Sequence, residues 1–208
     1  MLRLVSLNLN GIRSAASKGW LQWAEQGSID CMGVQELKAQ AADVVPRFAN
    51  VAGLMGHFHY ADKKGYSGVG LYTRAAPSAV ITGIGEPEFD AEGRYVEARF
   101  DTPTRKLSII SCYFPSGSSG EERQAAKFRF LAGFFPHLIA LAKQREFILC
   151  GDINIAHQQI DLKNWRGNHR TGHDGAARGP SARRRAWPPR SGWRGCRRRG
   201  RGGRWSGR

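Results

Sequence analysis

Apolar positions in the first 168 residues recur with two different spacings. Short runs rich in Val, Ile, Leu and Cys, bounded by turn residues, occupy 2–8, 29–35, 68–73, 96–100, 107–113 and 146–150. Runs of this length and composition predict strands. Between them, 17–26, 39–48 and 121–144 predict helices, the first closed by Gly27. In the last, Phe128, Leu131, Phe135, Leu138 and Leu141 recur at helical spacing, and Pro136 inside the pattern predicts a kink or a division into two helices. Met55, His57, His59 and the pair Phe134-Phe135 read as packing and loop residues rather than ligands. Strands alternating with helices predict an α/β fold. No internal repeat implies a solenoid.

The chemistry sits where the apolar runs stop. "RLVSLNLNG" ends in Asn8 and Asn10, "IDCMGVQEL" in Gln35-Glu36, "LSIISCYFPSG" in Tyr113, and "FILCGDINIA" in Asp152 and Asn154. Residues two apart on an extended segment share a side, so Asn8 with Asn10 and Asp152 with Asn154 each present one polar face. If these strands lie side by side, their ends assemble two carboxylates, three amides and a phenol. Hard oxygen donors of this kind suit Mg²⁺ or Mn²⁺. The sequence has no His/Cys cluster to suggest zinc. A cation flanked by amide and phenol donors suits charge developing on a phosphoryl group, and the second acid could orient or deprotonate a water. Each residue also has a plainer reading. Asn10-Gly11 is a turn signal, Glu36 opens a helix-like stretch where an acid favours the positive helix end, Tyr113 could be a satisfied core tyrosine, and "GDIN" could be an Asx-bonded loop. Recurrence at four strand ends favours the chemical reading.

Charge divides the chain. The net charge is +15, but residues 169–208 hold 13 Arg, no Lys and one acid, Asp174, for +12. Residues 1–168 are nearly balanced, with 19 basic and 16 acidic side chains. The last forty residues contain no Leu, Ile, Val, Met, Phe or Tyr, which predicts disorder. They read as an Arg/Gly-rich nucleic-acid arm with Trp187, Trp193 and Trp205 as stacking groups, as a solvated extension, or as a GC-rich coding sequence translated out of frame. The abrupt switch to Arg without Lys favours the third. Four cysteines, Cys31, Cys112, Cys150 and Cys196, lack C-x-x-C spacing, and three lie in apolar runs, as in a reduced cytoplasmic protein. The sequence offers no signal-peptide pattern and no apolar run approaching membrane-spanning length, so a soluble protein is expected.

"LNLNGIRSA", "GVQELK", "KGYSGVGLYTR", "CYFPSG", "KFRFL" and "LCGDINIAHQQIDLKN", in that order over residues 1–168, resemble exodeoxyribonuclease III and the apurinic/apyrimidinic endonucleases of the exonuclease–endonuclease–phosphatase superfamily. The resemblance implies a four-layer α/β sandwich, two mixed sheets flanked by helices. It implies Mg²⁺-dependent hydrolysis of DNA phosphodiesters in base-excision repair, at 3′ ends and 5′ to abasic sites, by a monomer. Glu36 matches the principal metal ligand, and Asn8 and Asn10 match the amide and its neighbour at the metal-binding strand end. Tyr113 matches the tyrosine near the scissile phosphate. Asp152 matches the acid that positions the water, and Asn154 the amide that stabilises the transition state, both beside the metal. Lys63, Lys64 and Arg74 fall where phosphate contacts are possible, although a solvated surface is the stronger reading.

The family pattern then continues with a "GFLPEER"-like segment, a later Asp and a terminal Ser-Asp-His motif. None of these stands in this sequence. His169 and His173 have no Ser-Asp-His context. The expectation is therefore an incomplete sandwich whose second sheet half is largely missing, impaired in catalysis and prone to aggregate through open strand edges. A non-catalytic basic nucleic-acid-binding polypeptide is the alternative, and a phosphatase or lipid phosphodiesterase of the same superfamily is a third reading.

Overall fold

The computed structural model describes residues 1–117, 120–155 and 159–161, all within one compact unit, Met1–Ala176. The Arg-rich segment 169–208, its tryptophans, Cys196, His169 and His173 lie outside the described residues, as does the expected boundary at 168.

The described strands form two sheets. In the first, β1 (Leu4–Asn8), β2 (Cys31–Gln35), β3 (Asn50–Val51), β4 (Leu54–His59) and β5 (Val69–Thr73) lie in the order β1-β2-β5-β4-β3. In the second, β6 (Ala79–Thr82), β7 (Tyr95–Asp101), β8 (Lys106–Tyr113) and β9 (Glu146–Asp152) lie in sequence order. Both sheets are mixed. The pairs β1–β2 and β8–β9 are parallel, and the other neighbours are antiparallel.

Side-chain alternation along each strand sorts residues between layers. Cys31, Val69 and Leu71 of the first sheet meet Val96, Ala98 and Ile109 of the second. On the outer face of the first sheet, α1 (Ile12–Ser17), α2 (Trp20–Gln26) and α3 (Ala41–Phe48) bring Ile12, Trp20, Val44 and Phe48 onto Met32, Val34 and Tyr72. On the outer face of the second, α4 (Pro87–Asp90) and α5 (Glu121–Ala142) bring Phe89, Phe130, Phe134 and Leu141 onto Tyr95, Ile110 and Cys112. The result is the expected helix–sheet–sheet–helix sandwich.

The two parallel pairs face each other, and small residues let them approach. A Cβ on Gly33 would lie 2.9 Å from the Cys150 sulfur and 3.1 Å from the Ser111 Cβ. Across this contact Gln35 Nε2 donates to Ser111 Oγ at 3.0 Å, and Ser111 Oγ donates to the Val34 carbonyl at 3.3 Å. Gln35 therefore stitches the sheets together rather than joining the polar group at the strand ends. The three described cysteines are free thiols. Burial pushes Cys31 up to about 12 and Cys150 up to about 11, so they behave as small apolar groups rather than nucleophiles.

Several expectations change. The short strands β3 and β6, and β4 with its two histidines, did not stand out as apolar runs. His57 and His59 lie on β4, bonded to Thr73 Oγ1 and to the Tyr95 carbonyl, rather than in a loop. The helix expected over 17–26 starts only at Trp20, after Gly19 with a left-handed φ of 89°, and a separate helix, α1, which was not expected, precedes it. Gly27 does cap α2, in an extended conformation. Pro136 does not divide α5, which runs unbroken from Glu121 to Ala142. Its buried face carries Lys127, Phe130, Phe134 and Leu141, while Phe128 and Phe135 are exposed. The helix is apolar on more than one side, so its period alone could not choose the packed face. Contrary to the sequence reading, α5 is long and apolar enough to cross a membrane by length and composition; here it packs against the second sheet.

Gly151 is the tightest point in β9. Its φ is 149°, and a Cβ there would fall 1.8 Å from the Cys112 carbonyl oxygen. Gly151→Ala is expected to destabilise the fold by about 2 kcal/mol or more, against about 1 kcal/mol for Gly65→Ala, which meets no atom within 4 Å but also has positive φ. Urea unfolding of both variants tests the ranking.

Candidate active site

The strands of the two parallel pairs end together, and three predicted residues meet there directly. Asn8, the last residue of β1, donates its side-chain amide to Glu36 Oε1 at 2.9 Å and to Asp152 Oδ2 at 2.8 Å. One NH₂ group thus joins a carboxylate beyond the first sheet to a carboxylate at the end of the second. The Tyr113 hydroxyl also hydrogen-bonds Glu36, and Tyr113 stands opposite Asp152 in the β8–β9 register.

Both strand ends turn by the same device. Asn8 Oδ1 accepts the Asn10 backbone N–H at 2.9 Å, and Asp152 Oδ1 accepts the Asn154 backbone N–H at 3.2 Å. These are Asx-type turns, so the turn reading and the chemical reading hold at the same residues. Asn10 and Asn154 consequently leave the extended conformation, with φ of 46° and 50°. Their side chains do not follow Asn8 and Asp152 as strict alternation implied. Asn10 Oδ1 accepts from Lys38 Nζ at 2.5 Å, and Asn154 Nδ2 donates to the Phe114 carbonyl at 3.0 Å. The Asn154 carbonyl in turn accepts from Lys127 Nζ at 2.7 Å. Lys127 is buried, and burial pushes its ammonium below its ordinary range.

Glu36 does not open a helix; α3 begins five residues later. Instead Glu36-Leu37-Lys38 forms a clamped turn. The carbonyls of Glu36 and Leu37 accept from the Gly11 and Ile12 N–H groups, while the N–H groups of Leu37 and Lys38 donate to Gly68 and Ser67. Leu37 is fully buried between these strands. Glu36 and Lys38 take φ of 55° and 48°, left-handed values that long side chains rarely adopt. Such residues cost roughly 1–3 kcal/mol each and persist only where surrounding bonds enforce them. Glu36, Lys38, Asn10 and Asn154 are four of the six described non-glycine residues with positive φ, so backbone strain is concentrated in this site.

Lys38 was missed in the sequence although "GVQELK" contains it. Its Nζ lies 2.7 Å from Glu36 Oε2. Burial pushes the Glu36 carboxyl up, but hydrogen bonds from Lys38 and Asn8, the Lys38 charge and the Tyr113 hydroxyl outweigh it, leaving Glu36 below its ordinary value. Burial pushes the Tyr113 phenol up, and the Glu36 charge adds to this while Arg94 opposes it. Tyr113 is therefore a neutral hydrogen-bond donor near pH 7.

Arg94 was also missed. Its guanidinium lies 4.9 Å from the Tyr113 ring centroid, Nη1 donates to the Tyr113 carbonyl at 3.0 Å, and Nη2 donates to the Tyr66 hydroxyl at 3.0 Å. Only the β7–β8 register, which sets Tyr95 opposite Cys112, puts Arg94 beside Tyr113. Lys63 stands over the Tyr66 ring in the same polar hollow, and Lys64 is exposed. Arg74 is elsewhere: its guanidinium caps the Ile29 and Ala52 carbonyls near the start of β2. The apolar hollow lined by Leu2, Cys31, Phe100 and Ile109 contains none of the site's groups.

The residues present fit a hard divalent cation. Glu36 Oε2 and Asn10 Oδ1 already converge on one positive charge, the Lys38 ammonium, and the nearby donors are carboxylate and amide oxygens. Among the described residues no set of three or more His, Cys, Asp or Glu is clustered, so a cation here would share carboxylate with amide and water.

Residues 5–204 match the endonuclease/exonuclease/phosphatase family. The chain belongs to that family. It is 34% identical over 170 residues to the exodeoxyribonuclease of Bacillus subtilis (strain 168), covering 80% of this chain and 64% of the relative. It is 34% identical over 174 residues to the DNA repair nuclease APEX1 of Danio rerio, covering 81% and 54%. The chain therefore spans about half to two-thirds of the length of these curated relatives. The 3′–5′ exonuclease NExo of Neisseria meningitidis superposes with a TM-score of 0.66 at 19% identity, over 79% of this chain and 63% of that one, and shows the shared fold.

Because the folded Glu36 carboxyl lies below its unfolded value of 4.5, its ionised form contributes stability above that value and loses it as pH falls through the folded one. In EDTA, the unfolding free energy of wild type minus that of Glu36→Gln is expected to decline between pH 7 and pH 3. A difference that stays flat or grows on acidification contradicts this assignment.

Proposed function

We propose that this chain hydrolyses DNA phosphodiester bonds with the help of Mg²⁺, acting on duplexes at abasic sites and at 3′ ends. The observation that carries the reading is the Asn8 amide shared by Glu36 and Asp152. It fixes two acids with different neighbours at one point, as metal-assisted attack of water on a phosphate requires. Kinship with an exodeoxyribonuclease and a DNA repair nuclease supports DNA as the substrate.

Glu36 and Asn10 would hold the cation, with Asn8 bracing both acids. When bound, Mg²⁺ would neutralise charge on the phosphate oxygens. Asp152 accepts one hydrogen bond on each oxygen, which leaves a lone pair to orient a water and take its proton. With Glu36 turned to the cation, the Tyr113 hydroxyl, held neutral, would swing its single proton from Glu36 to a phosphate oxygen. Asn154 commits one amide N–H to the Phe114 carbonyl, and its second N–H can donate to the charge that builds in the transition state. Arg94 holds Tyr113 from behind through its ring and carbonyl.

The test is incubation of the full chain with a duplex carrying one abasic site, in Mg²⁺ and in EDTA. Nicking is expected only with Mg²⁺, and Glu36→Ala or Asp152→Asn should lower it by roughly 10²-fold or more. DNA binding without metal-dependent nicking in the wild-type chain would overturn the hydrolase reading and favour a non-catalytic nucleic-acid-binding polypeptide.

A further inference from the structure

The oxygens best placed for a divalent cation are already holding a cation. Glu36 directs Oε1 to the Asn8 amide and Oε2 to the Lys38 ammonium at 2.7 Å. Asn10 directs Oδ1 to the same ammonium at 2.5 Å. Glu36, Lys38 and Asn10 are all held in the left-handed region, and the Glu36–Lys38 turn is clamped by backbone bonds on both sides. The encounter of ammonium with this oxygen pair is therefore built by the backbone. The Lys38 side chain is 38% exposed, whereas that of Glu36 is 16% exposed. Its four-carbon stem can carry the charge away into solvent without unpacking the core.

We propose that Lys38 is a resident cation that occupies the divalent-metal cradle and is displaced when metal enters. The inference rests on the metal-dependent reading above. Without metal, the ammonium neutralises Glu36 and keeps the two acids joined by Asn8 from repelling each other apart. A divalent ion and an ammonium on the same two oxygens would repel strongly, so metal entry sends Lys38 outward. The released ammonium is then free beside the site, where an incoming DNA phosphate is the anion it meets. Metal loading and phosphate recruitment thereby become one event. Lys38 is a positioning residue in this scheme, and its effect on metal affinity is opposite to that of a residue that merely orients Glu36.

Mn²⁺ binding to the full chain, followed by the loss of free-ion signal in electron paramagnetic resonance, separates the possibilities. Wild type is expected to bind one Mn²⁺ through Glu36, with binding lost in Glu36→Gln. Lys38→Met is expected to bind about tenfold more tightly because the competing charge is gone, and Lys38→Arg to stay near wild type. Acylation of Lys38 by a water-soluble active ester, read by peptide mass spectrometry, is expected to rise severalfold on adding saturating Mg²⁺, while Lys64 stays constant. If Lys38→Met binds Mn²⁺ equally or more weakly, or if Lys38 acylation does not respond to Mg²⁺, the resident-cation proposal fails while the metal reading survives. If neither wild type nor Lys38→Met binds Mn²⁺ through Glu36, the metal reading fails and takes this proposal with it.

Discussion

The side-chain amide of Asn8 places two mutual demands on the fold. Its two N–H groups reach Glu36 and Asp152, carboxylates at the ends of strands of different sheets, just past β2 and at the last residue of β9, and 116 positions apart in the sequence. Two such groups repel unless donors stand between them. For one NH₂ to serve both, β1 must end level with β9, and the turn after β2 must bend back toward both. Much of the surrounding architecture can be read as meeting that condition. Two parallel pairs run in register toward the same end, Gly33 allows the sheets to close on Cys150 and Ser111, and Gln35 bonds across them to Ser111.

The remaining donors follow from the same convergence. Lys38 supplies the positive charge that two neighbouring acids call for, and Tyr113 adds a neutral hydroxyl to Glu36. Asx bonds at Asn8 and Asp152 end each strand where its carboxylate or amide is needed. Left-handed backbone at Asn10, Glu36, Lys38 and Asn154 is local strain held by bonds from neighbouring segments. Backbone bonds set this arrangement before any ligand arrives, which suits chemistry whose main cost is arranging charge around a phosphate.

A second group of residues backs the site through the backbone carbonyls and rings of its residues. Arg94 grips Tyr113 through ring and carbonyl and links it to Tyr66 and Glu92. Lys127, buried on α5, reaches the Asn154 carbonyl and ties the outer helix to the turn after β9. Both place a cation on a backbone carbonyl of a site residue, and Arg94 also meets the Tyr66 and Tyr113 rings, so they fix orientation.

Much of this was legible in the sequence. Apolar runs located six of the strands because buried strands need continuous hydrophobic stretches. Polar residues at four of their ends named Asn8, Glu36, Tyr113 and Asp152, because side-chain type and strand period are local properties. What was hidden depended on register and on neighbours distant in the chain. Short edge strands such as β3 and β6 are too brief to leave a pattern. The packed face of α5 was chosen by the sheet beneath it, since Phe128 and Phe135 are as apolar as Phe130 and Phe134. Lys38 and Arg94 gave no local signal, because one owes its position to two left-handed residues and the other to the pairing of β7 with β8. The sequence by itself determined which side chains could carry charge, bond or pack, since these are properties of single residues. Only the tertiary structure decided which of them meet, because an amide that joins two carboxylates exists only once separate strands have been brought within hydrogen-bond reach.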